Sequence, residues 1–300
     1  MPLVVRGLAS QDAAAFTALV ERSIAAGELL GSSAPHGEHL VEFSLAEPQL
    51  VGVAEDDGAL VGWVHPEIKA LAVEPDHRRR GIGRALVDLG LRMEAGRGRP
   101  NLILGALPGE EPAHSFVGAT GFELHSLLWD LELPPEARLA TPEWPAGVAT
   151  RPVRFADDRL AFIRLFNAAF ADHATPLQMD EGSADDPPRD LPWTEDDLLV
   201  AEQGGELIGF AATEPVRRPD GGVEPRAEIW TIGVRPDRQG AGLGRQLLRW
   251  GVGHLRELGA RDVVLSVNGR NPRALGLYES EGFVRTSTRE RWARPVSGAG

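Results

Sequence analysis

The chain has 300 residues, of which 42% are hydrophobic and 25% charged, and its 44 acidic and 31 basic residues give a net charge of −13. This length favours two globular domains, and the negative charge argues against nucleic acid as a partner because phosphate is repelled by an acidic surface. Cysteine is absent, which excludes disulfides, thiolate nucleophiles and thiolate metal ligands. Neither a bilayer-length apolar run nor a secretion signal is visible, so we expect a cytoplasmic protein without membrane contact or a bound metal.

The two halves of the chain repeat one another. Residues 60–63 correspond to residues 207–210, and residues 73–84 correspond to residues 234–245. From there the register holds at an offset of 161 residues, without a gap, as far as a Gly-Phe pair in each copy. The second copy has 14 extra residues between the two landmarks. A repeat of this kind predicts two copies of one fold.

Residues 134–148 separate the copies. They are rich in proline and show neither helical nor strand periodicity, which is typical of a semi-rigid linker. We therefore predict an N-terminal domain over residues 1–133 and a C-terminal domain over residues 149–300.

The second copy shows alternating strand and helix patterns. Apolar periodicity, a Gln-Gly-Gly turn and closing glycines mark the element boundaries. In chain order they predict a strand at 148–153, a helix at 157–170, a hairpin of strands at 198–202 and 206–213, a strand at 228–234, a helix at 242–258, a strand at 263–267 and a last helix at 273–281. The predicted fold class is α/β, with two tandem domains that each have a mixed central sheet and helices on both faces.

A glycine-rich turn joins the fourth predicted strand of the second copy to the helix that follows it. Gly240, Gly242 and Gly244 let the backbone approach an anion closely, and the helix start presents unpaired N–H groups and the positive end of a dipole. Arg238 or Arg245 adds positive charge. The spacing fits neither a P-loop nor a dinucleotide fingerprint. We therefore predict a pyrophosphate-binding turn, present in both copies.

The turns resemble the signature of the GNAT N-acetyltransferase family, which is Arg or Gln, two residues, Gly, one residue, and then Gly or Ala. Residues 78–83 and 239–244 both match it, and residues 271–283 resemble the closing segment of that family, with an Asn, a helix containing a Tyr, and Gly-Phe. The tandem arrangement, residues 166–170 and a Glu at position 228 resemble the mycothiol synthase-like two-domain members. The chain is thus identified as a tandem GNAT protein, and the resemblance implies acetyl-CoA as acyl donor.

The resemblance also implies the chemistry. A substrate amine would attack the thioester of acetyl-CoA directly, where two parallel strands splay apart. Glu228 is implied as the base, the backbone N–H of Ile232 or Val234 as the oxyanion donor, and Tyr278 as the acid that protonates the leaving thiolate. An exposed strand-end charge at Glu228 and a packing role for Tyr278 are the alternatives. Asn271 is expected to cap the last helix, which is compatible with contact to the CoA arm.

The predicted acetyl-CoA contacts lie on the strand, the turn and the helix start of each copy. In the second copy they are Ile232, Gly233, Val234, Gln239, Gly240, Ala241, Gly242, Leu243, Gly244, Arg245 and Asn271. In the first copy they are Leu71, Ala72, Val73, Arg78, Arg79, Arg80, Gly81, Ile82, Gly83 and Arg84.

The first copy differs at the positions that carry chemistry. At the offset of 161 residues, Glu67, Glu110 and Val117 take the places of the base, the capping Asn and the acid. The first copy therefore keeps its turn and loses the Tyr, so we predict that it is degenerate. His65, next to Pro66, is a possible replacement base, although a single His at a strand end is more often a surface residue.

Residues 172–197 lie where the family places a substrate-covering loop. Their many carboxylates favour attraction of a small cationic amine, with a solvated acidic loop as the alternative, and Trp193 and His173 are candidate substrate contacts. The predicted function is acetylation of a primary amine of a small, cationic or amino-sugar substrate. A non-catalytic acetyl-CoA-binding or regulatory protein and a protein N-terminal or lysine acetyltransferase stay open as alternatives, as does the oligomeric state.

Overall fold

The computed structural model describes residues 3–26, 38–171, 179, 181, 182, 194–218 and 220–296. The chain forms two compact units. Unit 1 contains Met1–Leu128 together with Thr288–Gly300, and unit 2 contains Trp129–Ser287. These units differ from a simple division at residues 134–148, because each unit includes a strand segment from the other half of the sequence.

Unit 1 contains four helices and five complete strands among its described residues. The strands are β1 Val4–Gly7, β2 Gly52–Asp56, β3 Ala59–His65, β4 Ala70–Val73 and β5 Asn101–Ala106, followed by the first part of β6 Glu123–Leu133. The helices are α1 Ala13–Ala25, α2 Glu38–Ala46, α3 Ile82–Gly96 and α4 Glu111–Ala119.

Unit 2 reproduces the element order predicted for the second copy, with each boundary within two residues of the prediction. Its strands are β7 Ala149–Pro152, β8 Leu198–Gln203, β9 Glu206–Glu214, β10 Arg226–Val234, β11 Asp262–Asn268 and the first part of β12 Val284–Pro295. Its helices are α5 Phe155–Ala169, α6 Leu243–Glu257 and α7 Pro272–Ser280.

Strand order shows the exchange between the halves. In unit 1, β1 to β4 form an antiparallel sheet in chain order, and β5 pairs with the end of β12 from Asn101↔Pro295 to Ala106↔Glu290. In unit 2 the order is β6-β11-β10-β9-β8-β7, so the end of β6 lies beside β11. The last strand of each half therefore pairs with a strand of the other half.

An ion cluster confirms the duplication at the level of side chains. Arg6 of β1 binds Asp12 at 2.5 Å and Glu55 at 2.8 Å in unit 1. Arg151 of β7 makes the same pair of contacts in unit 2, to Asp158 at 2.6 Å and to Glu202 at 3.2 Å. These pairs join the first strand of each unit to the helix after it and to the next strand.

Both faces of the unit 2 sheet are covered by helices. Ala227, Ile229, Val263 and Leu265 pack with residues of α6 on one face. On the other face, Phe210 and Ala212 pack with Phe162 and Phe166 of α5. Alternate residues of β9, β10 and β11 therefore face α6 or α5, and the α5 face is the one on which Glu228 lies.

The described residues contain neither a membrane-spanning helix nor a cluster of metal ligands. None of their helices is both long enough and apolar enough to cross a membrane. Within the same residues, His, Asp and Glu side chains form no group of three that could hold a metal ion.

Candidate active site

The parallel strands β10 and β11 pair only at their beginnings. The ladder consists of Arg226↔Asp262, Ala227↔Val263 and Glu228↔Val264. In the described chain it has no further pair, although β10 continues to Val234 and β11 to Asn268. A gap therefore opens in the sheet directly after Glu228.

Backbone N–H groups of β10 point into this gap. Arg235 N donates to Ile208 O of β9 at 3.0 Å. Because successive N–H groups of a strand point to opposite edges, those of Ile232 and Val234 face away from β9, toward the gap. These are the two groups expected as oxyanion donors, and Gly233 lies between them against the ring of Phe210.

The glycine-rich turn closes the wide end of the gap. Gly240 and Gly242 have φ angles of 86° and 85°, a left-handed conformation that glycine adopts without strain. The first hydrogen bond of α6 is from Arg245 N to Gly242 O, at 3.1 Å. The N–H groups that precede it are those of a helix N-terminus, which lack intrahelical acceptors and favour an anion. A Cβ added at Gly242 would meet nothing within 4 Å, so there is room for a phosphate.

Side chains hold the turn in place. Gln239 Nε2 donates to Val234 O at 3.1 Å, and Gln239 Oε1 accepts from Arg273 at 2.6 Å. Arg245 is directed to α7 and its end, where it binds Glu281 at 2.5 Å and Ser280 at 3.2 Å. Arg238 is at 3.4 Å from Asp237. The predicted extra charge at the turn is therefore shared with carboxylates, and the backbone dipoles are the main feature that suits a pyrophosphate.

Glu228 and Tyr278 lie on opposite faces of the unit 2 sheet. Glu228 is half-buried, at the last rung of the β10–β11 ladder and directly before a register shift at Trp230. Tyr278 of α7 packs with the α6-face core, with its ring 6.1 Å from that of Phe283. The Tyr278 hydroxyl makes no hydrogen bond to any described residue. Burial raises the pKa of Tyr278 to about 12, so this hydroxyl is a proton donor at neutral pH.

Asn271 caps α7 as predicted. Its Oδ1 accepts from Ala274 N at 3.0 Å, and Pro272 occupies the first helical position. Asn268, at the end of β11, accepts from Arg270 N at 2.9 Å. The two asparagines thus shape the connection between β11 and α7, the helix that carries Tyr278.

Unit 1 repeats the turn with one difference. Gly81 caps α3 with φ 85°, and Arg78 Nε donates to Val73 O at 2.8 Å, as Gln239 does in unit 2. Glu74 N donates to Val61 O at 2.9 Å, so the N–H groups of Leu71 and Val73 face away from β3. Arg79, at the position of Gly240, holds a left-handed φ of 63°.

The remaining predicted residues of unit 1 lie in β4, in the turn and in the first turn of α3. Ala72 and Ile82 are buried. Arg80 binds Asp56 at 2.8 Å, and Arg84 donates to Ala119 O at 3.2 Å. A Cβ at Gly83 would lie 2.8 Å from Phe116. The two arginines are therefore bound to other groups of the protein, and Phe116 occupies the space beside Gly83.

In unit 1, the residues that correspond to the predicted base, acid and capping Asn of unit 2 make contacts within the protein. Glu67 lies in the turn between β3 and β4 and is ion-paired with Arg97 and, at 3.2 Å, with Arg99. Burial alone would raise the pKa of Glu67, but these cations outweigh it and hold that pKa below its ordinary value. Val117 is buried in the core, and Glu110 accepts from Leu107 N at 2.9 Å.

The expectation that His65 is a surface residue was wrong. It is fully buried at the end of β3, and its ring stacks on Phe43 with centroids 5.5 Å apart. Neither ring nitrogen has a hydrogen-bond partner in the described chain, and burial lowers the pKa of His65 to about 4. A short turn at residues 66–69 replaces the beginning of β10, which places His65 inside the unit.

Two carboxylates were missed by the sequence reasoning. Glu214 of β9 lies opposite Glu228 in the ladder. Asp130 of β6 lies within unit 2, where it accepts hydrogen bonds from Ser266 at 2.8 Å and from Ser287. Hairpin register would have revealed Glu214, whereas Asp130 reaches unit 2 only through the strand exchange. His173 and Trp193 lie outside the described residues, as does most of the predicted covering loop.

Two parallel strands that separate directly after a carboxylate, beside a glycine-rich turn and a helix N-terminus, are the arrangement that the resemblance to an acetyl-CoA-dependent transferase led us to expect. Comparison with known proteins agrees. The Acetyltransferase (GNAT) family model matches residues 162–283, and an Acetyltransferase (GNAT) domain model matches residues 47–124.

Relatives cover most of the chain. A mycothiol acetyltransferase of Cellulomonas flavigena is 35% identical over 262 residues, 84% of this chain and 73% of the relative. One of Salinispora arenicola is 34% identical and covers 90% of both chains. A solved tandem GNAT protein from the clavulanic acid biosynthesis pathway superposes with a TM-score of 0.67 at 17% identity, over 100% of both chains. The chain therefore belongs to the GNAT acetyltransferase family, as an N-acetyltransferase that uses acetyl-CoA as its acyl donor.

Proposed function

We propose that unit 2 transfers the acetyl group of acetyl-CoA to a primary amine of a small cationic acceptor by direct attack in a ternary complex. The observation that carries this proposal is the gap between β10 and β11, which has Glu228 on the α5 face and Tyr278 on the α6 face. Bound acetyl-CoA supplies an activated acetyl group as a thioester. An acceptor on one face and a leaving thiolate on the other would then meet only through this gap.

The residues fit an acyl-CoA ligand by their own geometry. The N–H groups at the start of α6 would hold the pyrophosphate, with Gln239 and Arg273 fixing the turn. The strand edge at Ile232 and Val234 would hold the arm and the thioester carbonyl. Asn271 would lie beside the arm at the start of α7, as a helix cap with spare hydrogen-bonding capacity.

Four groups share the proton transfers and the stabilisation of negative charge. They are the side chains of Glu228 and Tyr278 and the backbone N–H groups of Ile232 and Val234. Glu228, directly or through one water, takes a proton from the acceptor ammonium, which frees the nitrogen lone pair to form the C–N bond. The N–H groups of Ile232 and Val234 stabilise the negative charge on the carbonyl oxygen. Tyr278 donates its proton to the sulfur as the C–S bond breaks, which its raised pKa permits because the hydroxyl stays protonated until then. The nitrogen of the new amide loses its second proton to solvent at the same stage, and a proton from solvent restores Tyr278.

Unit 1 is proposed to be degenerate. Its counterpart of the base is held by two arginines, and Val117 stands in the place of the acid. The turn with Gly81 and Arg78 is retained, so loss of catalysis does not require loss of the fold.

An acceptor of the mycothiol class is the second candidate, favoured by the names of the relatives with 32–36% identity. Both candidates are tested by one assay of CoA release with acetyl-CoA against polyamines, aminoglycosides, amino-sugar thiols, simple amines and peptides. Turnover confined to peptides would replace both by a protein acetyltransferase.

The same assay tests the roles. With the best acceptor, Tyr278→Phe and Glu228→Gln should each lower kcat at least about tenfold, which corresponds to about 1.4 kcal/mol of barrier. Glu67→Gln is the matched control in unit 1 and should leave kcat unchanged. Full activity of Tyr278→Phe would remove it as the acid, and loss of activity in Glu67→Gln with an unchanged melting temperature would place catalysis in unit 1.

A further inference from the structure

Glu214 and Glu228 face each other across neighbouring strands. The register of β9 and β10 pairs them directly, and the next pair is Thr213↔Ile229. Side chains of directly opposed residues have Cβ atoms roughly 4.5–5.5 Å apart. Glu214 therefore lies one strand farther from the gap than the proposed base, at a strand spacing of roughly 5 Å.

Both carboxylates lie on the α5 face. Thr213 and Ile229 point to the other face, where both contact the region of Gly251 in α6. Alternation along each strand then directs their neighbours Glu214 and Glu228 to the side on which Phe210 and Ala212 pack with α5. This is the side from which an acceptor would reach the gap.

Further charged side chains lie on this face. Asp130 on β6 is a third carboxylate, and it accepts hydrogen bonds from Ser266 at 2.8 Å and from Ser287. Arg226, two residues before Glu228 on the same face, is bound to Glu132 at 2.8 Å. An acceptor that carries a second positive group would find a complementary surface here.

We propose that Glu214 is the specificity-determining residue of the acetyl-transfer site and binds a second cationic group of the acceptor, which makes short diamines the preferred acceptor class. This rests on the proposed function, in which Glu228 receives the proton of the reacting nitrogen. Opposed carboxylates at this spacing match two nitrogen atoms roughly 5–7 Å apart, the span of three or four methylene groups. The reacting amine becomes neutral before attack, whereas the second ammonium stays protonated on Glu214.

The experiment compares diamines with monoamines of equal length. Dissociation constants of 1,3-diaminopropane, propylamine, 1,4-diaminobutane and butylamine are measured by calorimetry on the full chain saturated with CoA, and kcat/KM is measured by CoA release with acetyl-CoA. The variants are wild type, Glu214→Gln and Glu257→Gln. Glu257 is an exposed carboxylate near the end of α6, on the opposite face of the sheet, so its replacement is the matched control for charge.

Wild type and Glu257→Gln should bind the diamines at least tenfold more tightly than the monoamines, and Glu214→Gln should reduce this ratio below threefold with monoamine binding unchanged. Glu214→Asp, which keeps the charge on a shorter side chain, should restore the ratio and serves if Glu214→Gln does not fold. Equal binding of diamines and monoamines by wild type, or equal weakening of both by Glu214→Gln, would overturn the proposal. Tighter binding of diamines without turnover of any amine would support the role of Glu214 and overturn the proposed function. Turnover of amines without tighter binding of diamines would support the proposed function and overturn the role of Glu214.

Discussion

Replacing His65 by leucine should remove a pH-dependent part of the stability of unit 1. Burial lowers the pKa of His65 from its ordinary value of 6.5 to about 4. Between these values the unfolded chain binds a proton at this position and the folded chain does not, so stability falls as the pH falls. Each pH unit removes about 1.4 kcal/mol, which gives about 3 kcal/mol between pH 6.5 and 4 and nothing above pH 6.5.

The assay is urea unfolding of the full chain at several pH values between 4 and 8. Pulse labelling by hydrogen exchange of peptides from β2 and β3 reports the free energy of unfolding of unit 1 alone. Other groups also titrate in this range, so the quantity of interest is the difference between wild type and His65→Leu at each pH. His125→Gln, which removes a half-buried histidine from the part of β6 in unit 1, is the control. A difference between wild type and His65→Leu that stays constant from pH 7.5 to 4.5 would refute the reasoning.

Three further substitutions test the site and its support. Gly242→Ala forces a left-handed φ of 85° on a residue with a Cβ, which costs about 1–2 kcal/mol. This substitution should raise the KM for acetyl-CoA severalfold. The control Gly253→Ala lies in the middle of α6 with open space around it and should not change that KM. Gly233→Ala would place a Cβ 2.2 Å from the ring of Phe210, so the melting temperature of unit 2 should fall by the equivalent of about 1–3 kcal/mol, and an unchanged melting temperature would contradict the packing described. Asp197→Asn removes a buried carboxylate from its ion pair and hydrogen bonds and should destabilise unit 2 by about 2–3 kcal/mol in urea titrations.

The Asp197 prediction has a clear electrostatic basis. Its oxygens accept from Arg217 at 2.8 Å and from the Thr194 hydroxyl at 2.7 Å, and His254 lies at 3.4 Å. Burial alone would raise the pKa of Asp197, but the hydrogen bonds from His254, Arg217 and Thr194 outweigh it and hold that pKa well below its ordinary value. The carboxylate therefore stays ionised, and its stabilising effect should persist to strongly acidic pH.

Local signals in the sequence were sufficient for the elements of unit 2. Apolar periodicity predicted α5 and α6, and the pair Gly204-Gly205, with φ angles of 62° and 83°, forms the hairpin turn that the sequence indicated. The glycine spacing predicted the turn at residues 239–244, because glycines in a left-handed conformation directly before a helix are typical of an anion-binding turn. Each of these features depends on residues that are close together in the chain.

Features that depend on distant pairing were not predictable from one sequence. The 14 residues that unit 1 lacks shorten the β3–β4 connection, and only the fold shows that this buries His65 instead of exposing it. The position of Asp130 depends on which strand β6 pairs with, and periodicity carries no information on that choice. The roles of Glu228 as base and Tyr278 as acid stay predictions, which the variants described above test.

The exchange of strands sets an order of events during synthesis. Strand β5 has its partner in residues 290–295, which leave the ribosome only after all of unit 2 has been made. Until then the edge of β5 offers unpaired N–H and C=O groups to any other strand. Unit 1 therefore cannot complete its strand pairing before residues 290–295 have been made, and a chain that ended within α7 would leave β5 without this partner.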